Sequence, residues 1–301
     1  MTVNIDDFDR MFPDERACLT HVAHVRFGTD LRCPNCQARG LRRSMTRPKR
    51  LICSGCKRDY SIGQGTVFDH CRGSFRDLLY LMLILANSTA IISTSFVERH
   101  FGVSRMAAYR MLMLVRAHLA ALASPTLRGG PGKNVHIDET WCSNIRGGGS
   151  GERNGLIVFG IIDEGGVNAQ VISSRRREEV FPIILQSVRP GSLVITDQLA
   201  TYASLCEHGY KHVALNHSRG QWANNSGQSS SMIESYWTSL KYFLRFANGS
   251  VQAPQFNLYL AEHVFKFNVS RSGRCAYAQM IAAFPASDRN SLPQTVDFSR
   301  H

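Results

Sequence analysis

The sequence lacks any hydrophobic run that is long enough to cross a membrane. Its longest apolar stretch, Leu78–Ala86, is about half of the ~20 residues that a membrane-spanning helix needs. The segment Met1–Asp9 is acidic and does not have the basic-then-apolar order of a secretory signal. We therefore expect a soluble, intracellular protein, nuclear if the host is eukaryotic and in the cytoplasm or nucleoid if it is bacterial.

The sequence is also poor in acidic residues. It has 23 Asp and Glu against 35 Lys and Arg in 301 residues, so the formal net charge is +12. The excess is uneven, because residues 1–132 hold 19 basic against 10 acidic side chains, and residues 133–301 hold 16 against 13. A polyanion such as DNA is therefore the expected partner of the N-terminal part. A basic surface that serves only solubility is the alternative.

The nine cysteines do not form the even set of a disulfide framework, and no export signal accompanies them. Two C-x2-C pairs, Cys33-Pro-Asn-Cys36 and Cys53-Ser-Gly-Cys56, are separated by sixteen residues. Each pair suits a tight turn that presents two thiolates to one tetrahedral metal, so the spacing predicts a structural Zn2+ with four thiolate ligands. Chance cysteines or a redox pair are the alternatives. The other five are expected to be small buried apolar residues: Cys18, Cys71, Cys142, Cys206 and Cys275.

Helical patterns precede and follow this predicted zinc ribbon. An amphipathic segment, Phe8–Phe27, comes before it, and the helices Phe75–Asn87, Ile92–His100 and Arg105–Ala123 come after it. A glycine-containing turn before the last helix completes a helix-turn-helix outline. A three-helix bundle that does not touch DNA is the alternative. DNA contacts are expected from the ribbon and from the first turns of the last helix: Arg42, Arg43, Lys49, Arg50, Arg105, Tyr109 and Arg110.

The stretch Ser124–Lys133 is rich in proline and glycine, which predicts a linker and a domain boundary. The sequence thus predicts a multi-domain chain, a small zinc ribbon and an α-helical helix-turn-helix followed by an α/β domain. The predicted ranges are 1–72 for an N-terminal helix and zinc ribbon, 73–124 for a helix-turn-helix domain, 125–133 for a linker, 134–285 for a catalytic domain and 286–301 for a tail.

Beyond the linker the pattern changes from helices to strands. Three apolar, β-branched runs are followed by alternating helices and strands, which is the order of an RNase H-like domain. In that fold the first and fourth strands lie side by side. The predicted strands and helices are, in order, Val135–Trp141, Gly155–Asp163, Val167–Ser173, the helix Arg177–Val188, Leu193–Thr196, the helix Ala200–His208 and His212–Leu215, and Phe256–Phe267 is a final helix.

Three acidic residues stand where this fold could bring them together. Asp138 interrupts the first strand, Asp197 ends the fourth, and Glu234 lies on an amphipathic helix within Ser229–Lys241. Carboxylates in such an arrangement suit hard divalent cations and phosphoryl transfer. For either aspartate alone, capping a turn or pairing with an arginine is the alternative. Glu139 follows Asp138 on the strand and is expected on the opposite face, at the surface or supporting the site.

Taken in order, these motifs resemble the DDE-type transposases, and most closely the Merlin transposon group and its bacterial insertion-sequence relatives. The similarity runs from about Phe12 to Asn268. It adds to the ribbon and the helix-turn-helix a set of short motifs: Ile137-Asp-Glu-Thr140, Val158-Phe-Gly-Ile161, Thr196-Asp197, Val213-Ala-Leu-Asn-His-Ser218, Ile233-Glu-Ser-Tyr-Trp237 and Leu240-Lys241.

The resemblance implies an enzyme that cuts and joins transposon-end DNA with two Mg2+ or Mn2+ ions. Asp138 and Asp197 would be the metal-bridging aspartates, Glu234 the third acid and Lys241 a phosphate contact. A homodimer or higher homo-oligomer is expected, because two DNA ends must be brought together. Relatives commonly carry His-Thr-Asn where this chain has Ser229-Ser230-Ser231, so Glu234 must supply the third ligand here.

Two other functions compete with a cut-and-paste DNA transposase. One is a domesticated, sequence-specific DNA-binding regulator with an idle nuclease centre, against which the three intact acids argue. The other is an RNase H-like nuclease acting on RNA or a hybrid, which does not account for the two predicted DNA-binding modules. Trp141 and Trp237, which flank the acids in sequence, are expected to be core residues and not base-stacking ones.

Overall fold

The computed structural model describes residues 2–123, 126–143, 145, 155–215, 231–247 and 251–286. The chain divides into two units, the first formed by residues 1–122 and 274–301 and the second by residues 123–273. Among the described residues, no helix is long and apolar enough to span a membrane.

The helices occur in both units. In chain order, the α-helices of the described residues are α1 (Ile5–Met11), α2 (Glu15–Phe27), α3 (Phe75–Asn87), α4 (Thr94–Phe101), α5 (Arg105–Leu122), α6 (Arg177–Ser187), α7 (Ser231–Arg245), α8 (Phe256–Ser272) and α9 (Ala276–Ile281).

The strands form three sheets in the part of the chain that the structure describes. The order of strands is β1-β2-β3 in the first, β10-β9-β5-β6-β7 in the second and β4-β8 in the third. Their bounds are β1 (Leu41–Arg43), β2 (Arg50–Cys53), β3 (Asp59–Ser61), β4 (Arg128–Gly129), β5 (Asn134–Ser143), β6 (Gly155–Asp163), β7 (Gly166–Ile172), β8 (Val188–Arg189), β9 (Leu193–Thr196) and β10 (Lys211–Ala214).

The first unit opens with two helices instead of the single one that the sequence predicts. Phe12 ends α1 in a non-helical conformation because the following residue is Pro13, which disfavours helical geometry before it. Asp14 then caps α2 by accepting a hydrogen bond from the Ala17 amide at 2.7 Å.

The antiparallel sheet β1-β2-β3 follows, and then α3, α4 and α5. A carboxylate from α2 fixes the start of α3, since Glu15 accepts hydrogen bonds from the Phe75 and Arg76 amides at 2.9 and 2.8 Å and from the Ser74 hydroxyl at 2.8 Å. The helix dipole favours a negative charge at this position. The three helices after the sheet agree closely with the helices that the sequence predicts.

The helix α9 belongs to the first unit, which corrects the prediction that the catalytic domain runs to residue 285. His118 on α5 forms a 2.8 Å hydrogen bond through Nε2 with the Met280 carbonyl, and its ring stacks on Phe284. His21 on α2 likewise forms a 2.8 Å hydrogen bond with the Ile281 carbonyl. Burial lowers the pKa of His118 to about 4, so this histidine is neutral at pH 7. The prediction failed because these contacts join residues that are far apart in sequence.

The second unit has the RNase H-like order of strands, with three antiparallel strands, β5, β6 and β7, and two parallel ones, β9 and β10. The first strand of the unit's main sheet, β5, pairs in parallel with β9, the fourth predicted strand. The predicted fold class, a zinc ribbon followed by an integrase-type α/β domain, is confirmed. The bounds of β6 and β9 agree with the prediction at both ends.

The predicted linker is part of the second unit. The strand β4, Arg128–Gly129, pairs in parallel with β8. Arg128 is buried, and its guanidinium donates hydrogen bonds to Asp163 at 3.3 Å and to the Val167 carbonyl at 3.0 Å. The prediction of a linker rested on composition alone. Proline and glycine are common in linkers and also in tightly packed turns, so composition does not distinguish the two.

Helices cover both faces of the five-stranded sheet. On one face, Ile137 and Phe159 pack with α6 and with two 3-10 turns, Ala200–Tyr202 and Leu205–His208. These turns replace the helix that the sequence predicts over Ala200–His208. Tyr202 and Leu205 are fully buried in that core, and their i, i+3 spacing suits the three-residue period of a 3-10 turn. The helices α7 and α8 pack on the sheet as well, α7 against β5 and β6 and α8 against β7.

Candidate active site

The pairing of β5 with β9 brings the two predicted aspartates together. The register sets His136 opposite Ile195, and continuing it by two residues sets Asp138 opposite Asp197. Asp197 follows the last residue of β9, and one of its carboxylate oxygens accepts a hydrogen bond from the Leu199 amide at 3.1 Å. A strand centre and a strand end thus contribute one carboxylate each.

The helix α7 packs on this part of the sheet through Trp237. The indole Nε1 donates a 2.8 Å hydrogen bond to the Asp138 carboxylate. Gly160, the partner of Asp138 on β6, leaves room for the ring, because a Cβ at that position would lie 2.5 Å from the Trp237 ring. Glu234 lies three residues before Trp237, so the same side of α7 carries both residues. Trp237 is a core residue, as predicted.

Glu139 is buried, with 8% of its surface exposed, so of the two expected placements the surface one is wrong, whereas a residue that supports the site stays a prediction. Its carboxylate accepts a short hydrogen bond from the Tyr202 hydroxyl. Carboxylate oxygens of Asp138, Glu139 and Asp197 all lie within 4.8 Å of one another. Strand alternation separates the first atoms of adjacent side chains, yet the long side chain of Glu139 brings a carboxylate oxygen close to this cluster. The proximity of Glu139 to the two aspartates is therefore visible only in the folded structure.

The carboxylates in this cluster repel one another. Burial raises the pKa of Asp138 to about 6, and the charges of Glu234 and Asp197 add to the increase, whereas the Trp237 hydrogen bond opposes it. Burial also raises the pKa of Glu139 to about 7, with a contribution from its acidic neighbours. Concentrated negative charge with oxygen donors is what a hard divalent cation requires, so the residues fit such an ion.

His136 is a polar residue at this site that the sequence reasoning missed. It lines a small crevice together with Asp138, Asp197 and Ile233. It is 6% exposed, and its Nδ1 atom has no hydrogen-bond partner among the described residues. Its spacing of two from Asp138 on a predicted strand was the available signal, because alternate residues of a strand share a face.

Lys241 lies on α7 two turns after Glu234 and is exposed. Its positive charge lowers the pKa of Cys142 on β5, against the larger effect of burial, which raises it to about 11. The helix begins at Ser231. Ser229 and Ser230, and the last residues of the motif Val213-Ala-Leu-Asn-His-Ser218, lie outside the described residues.

The four predicted zinc ligands meet in the first unit. Their Sγ atoms lie within 4.8 Å of one another, and the pairs Cys33–Cys56 and Cys36–Cys53 are each 3.6 Å apart. A tetrahedral Zn2+ with Zn–S bonds of about 2.3 Å would separate its sulfurs by roughly 3.8 Å. The cluster therefore fits a structural zinc ion. A full set of four thiolates leaves no open position for catalysis.

The predicted DNA contacts of the ribbon differ in their surroundings. Arg42 is exposed. The Lys49 ammonium donates hydrogen bonds to the carbonyls of residues 71–73, and Arg50 forms an ion pair with Asp59 at 2.8 Å. Arg43 donates a 2.9 Å hydrogen bond to the Thr20 hydroxyl. Lys49, Arg50 and Arg43 therefore have contacts within the fold, whereas Arg42 faces solvent.

The helix α5 begins after Ser104, whose hydroxyl accepts a hydrogen bond from the Ala107 amide at 3.3 Å, as a capping residue does. Arg105 is exposed in the first turn, and Tyr109 and Arg110 are half-buried in the second. The turn before α5 contains Gly102 in a left-handed conformation, with φ of 64°. The arrangement matches the predicted helix, turn and helix.

Two further predictions about single residues require correction. Trp141, expected in the core, is 37% exposed. The five cysteines outside the ribbon were expected to be buried, but Cys71 and Cys275 are half-buried and Cys206 is exposed; Cys18 and Cys142 are buried. Burial depends on what lies over a residue, which a short sequence window does not show.

The zinc ribbon followed by an RNase H-like sheet with clustered acids defines the DDE-type transposase class. The ISXO2-like transposase domain matches residues 127–268, and the transposase zinc-ribbon domain matches residues 13–59. A transposase-like protein of Haemophilus influenzae is 32% identical over 100 residues, which cover 33% of this chain and 79% of that protein. The chain belongs to the ISXO2-like transposases of bacterial insertion sequences, which confirms the resemblance drawn from the motifs.

Solved structures give weaker similarity. The catalytic core domain of BIV integrase is 19% identical, with 46% of this chain and 82% of that chain covered and a TM-score of 0.30. A simian T-cell lymphotropic virus intasome, solved in complex with the PP2A regulatory subunit B56 gamma, is 14% identical, with 62% and 66% covered and a TM-score of 0.32. At these scores the alignments add nothing to the strand order described above.

Proposed function

We propose that this chain is a DNA transposase that binds transposon terminal repeats and catalyses metal-dependent strand cleavage and strand transfer in a cut-and-paste reaction. The observation that carries the proposal is the meeting of Asp138 and Asp197 at neighbouring strands, under a helix that also carries Glu234. Because the chain belongs to a transposase family, strand cleavage and strand transfer are the reactions expected at this acidic cluster.

Four residues of the site then have a role. Asp138 and Asp197 bind divalent cations, Glu234 is the third acid, and Trp237 orients the Asp138 carboxylate through its indole hydrogen bond. Two Mg2+ or Mn2+ ions would activate the attacking water or 3′-hydroxyl and stabilise the leaving oxygen of an in-line displacement. Exposed Lys241, two turns further along α7, holds a phosphate of the bound strand.

The first unit supplies the DNA contacts in this proposal. Its ribbon, closed by Zn2+, presents Arg42 to solvent, and the first turn of α5 presents Arg105. Both are cations that can contact the phosphate backbone, and Tyr109 and Arg110 follow in the next turn of the helix. The partners are the transposon ends and the target DNA in the bacterial cytoplasm, and a homodimer or larger assembly holds the two ends together.

The test is a cleavage and joining assay on labelled duplexes from the DNA that flanks the gene. Wild type and Asp197→Asn are compared over a range of Mg2+ and Mn2+ concentrations. Glu164→Gln is the matched control, because Glu164 is an exposed carboxylate in the turn between β6 and β7. We expect metal-dependent nicks and joined products from wild type and from the control, and a loss of at least a hundredfold in Asp197→Asn.

Tight binding of the duplexes without cleavage by wild type, at any concentration of either metal, would reject the proposed enzyme. The result would then favour a DNA-binding regulator with an idle nuclease centre. Cleavage that survives in Asp197→Asn would instead remove this aspartate from the reaction. Salt dependence of binding in Arg42→Gln and Arg105→Gln, each compared with wild type, reports whether these cations contact phosphates.

A further inference from the structure

Glu139 is a buried acid for which the proposed reaction has not yet given a role. Among the described residues, no cation lies within ion-pair distance of it, and its one hydrogen bond comes from the Tyr202 hydroxyl to Oε1. A single hydroxyl donor does not balance a buried carboxylate, which requires either a proton or a cation. Its other carboxylate oxygen remains available to a ligand.

The carboxylate of Glu139 lies beside the acidic cluster. This residue lies next to Asp138 in sequence, and oxygens of Glu139, Asp138 and Asp197 are mutually within 4.8 Å. Oxygen ligands of an octahedral Mg2+ at about 2.1 Å are separated by roughly 3 to 4 Å, so only small side-chain movements are needed to close on one ion.

Tyr202 is placed to hold this arrangement. It is fully buried in the core of the second unit and lies in the 3-10 turn that follows Asp197. One short segment therefore carries both a carboxylate of the cluster and the hydroxyl that orients Glu139. Residues that hydrogen-bond to a metal ligand and fix its orientation commonly affect metal affinity.

A second observation, independent of the acids, indicates a polar ligand in the small crevice that Asp138 and Asp197 line. His136 lines it beside Asp138 and Asp197 and is more than nine-tenths buried. Its Nδ1 atom has no partner among the described residues. A buried nitrogen of this kind normally has a hydrogen bond, and the water of a hydrated cation would provide one.

We propose that Glu139 is a ligand of the divalent cation at this site, together with Asp138 and Asp197, and that Tyr202 is the positioning residue that directs its carboxylate. The inference rests on the proposed function, because it assigns a further ligand to the same metal centre. The alternative is a purely structural pair in which Glu139 serves only to satisfy the buried Tyr202 hydroxyl. The two roles differ in one respect. A metal ligand needs the negative charge of the Glu139 carboxylate, whereas a residue that only accepts the Tyr202 hydrogen bond does not.

Glu139→Gln separates the two roles. The amide oxygen of glutamine still accepts the Tyr202 hydrogen bond, but it is a neutral and weaker ligand. Binding of Mn2+ to the full-length, zinc-loaded protein is measured by the electron paramagnetic resonance signal of the free ion, in the absence of DNA. Asp197→Asn is the positive control, Glu164→Gln the matched control, and thermal unfolding reports the fold of each variant.

We expect Glu139→Gln to weaken Mn2+ binding by about 10- to 100-fold with little change in melting temperature. Tyr202→Phe removes only the hydroxyl and is expected to weaken binding by about 3- to 10-fold. If Glu139→Gln does not fold, the Mn2+ affinity of Tyr202→Phe tests the proposal in its place. Glu164→Gln should bind as wild type does.

Wild-type affinity in Glu139→Gln, or in a folded Tyr202→Phe when the former is unfolded, would overturn the inference. If Asp197→Asn loses Mn2+ in the same experiment, the proposed metal centre survives that failure. A wild-type protein that binds no Mn2+ would overturn both the inference and the metal chemistry of the proposed function.

Discussion

The two candidate metal centres among the residues that the structure describes are built in opposite ways. The four thiolates of the ribbon come from two short turns, at residues 33–36 and 53–56, and their spacing along the chain is itself the signal. The acids come from the middle of β5 and from the segment after β9, and they meet because the two strands pair. The ribbon site can therefore be read from sequence, whereas the full membership of the acidic site cannot.

The two centres also differ in how complete they are. Four thiolates fill a tetrahedral shell, which makes the ribbon site structural. The acidic cluster is a set of mutually repelling carboxylates with an unsatisfied histidine beside it. A site of this kind is held in place by the surrounding fold and not by the ion.

The largest effect is expected from loss of a zinc ligand. Cys53→Ser should abolish zinc binding and unfold the ribbon, because a structural Zn2+ supplies on the order of 10 kcal/mol to such small modules. Zinc content and the reactivity of the remaining thiols are the measurements. Cys206→Ser, at an exposed cysteine outside the ribbon, is the control and should retain one zinc per chain. Full zinc content in Cys53→Ser would contradict the four-thiolate site.

A smaller effect is expected from acid in the first unit. The pKa of His118 in the folded protein, about 4, lies below the 6.5 of an unfolded chain. Its contribution to stability is therefore complete above pH 6.5 and is lost as the pH falls towards 4, by about 3 kcal/mol in total. Urea unfolding between pH 4 and 7.5 should show this slope in wild type. His118→Phe should be less stable at pH 7 and should lack that part of the slope.

The opposite pH dependence is expected from Asp138 in the second unit. Its pKa in the folded protein is about 6, above the 3.8 of an unfolded chain. Stability from this group is present below pH 3.8 and is lost as the pH rises through 6, by about 3 kcal/mol without metal. Urea unfolding of metal-free wild type and Asp138→Asn is the measurement. If the unfolding free energy of the two proteins changed equally with pH, the buried cluster of repelling carboxylates would be contradicted. Added Mn2+ should remove the loss of stability that metal-free wild type shows as the pH rises.

The smallest effect is expected at the contact between β6 and α7. A Cβ in Gly160→Ala would lie 2.5 Å from the Trp237 ring, which must shift and weaken its hydrogen bond to Asp138. We expect a loss of about 1–2 kcal/mol in unfolding free energy. Urea unfolding and the fluorescence spectrum of the tryptophans are the measurements. Gly73→Ala is the control, because a Cβ there meets only a sulfur at 4.0 Å; equal stability of the two variants would contradict the close packing.

Much of the fold could be predicted from the sequence because most of its signals are local. The ribbon cysteines, the helix α3 and the strands β6 and β9 were all visible in short windows of residues. The predicted neighbourhood of Asp138 and Asp197 also follows from strand order, since the fold pairs the first and fourth strands. Trp237 could be predicted to be buried, but its hydrogen bond to Asp138 could not.

The errors occurred where distant segments meet. Residues 126–133 resemble a linker, yet Arg128 is packed against Asp163 by contacts that no local pattern shows. The helix α9 joins the first unit through His118 and His21, residues far earlier in the chain. Glu139 follows the alternation of its strand, yet its carboxylate lies within 4.8 Å of carboxylate oxygens of Asp138 and Asp197.

The sequence by itself determined the ribbon cysteines, most of the helices and strands, and the two aspartates that the paired strands carry, because each depends on residue type and on spacing along the chain. Only the tertiary structure decided which side chains face one another. Strand register placed Asp138 opposite Asp197, the absence of a side chain at Gly160 admitted Trp237, and the turn after β9 brought Tyr202 to Glu139. Those contacts depend on distances between segments, which the linear sequence does not contain.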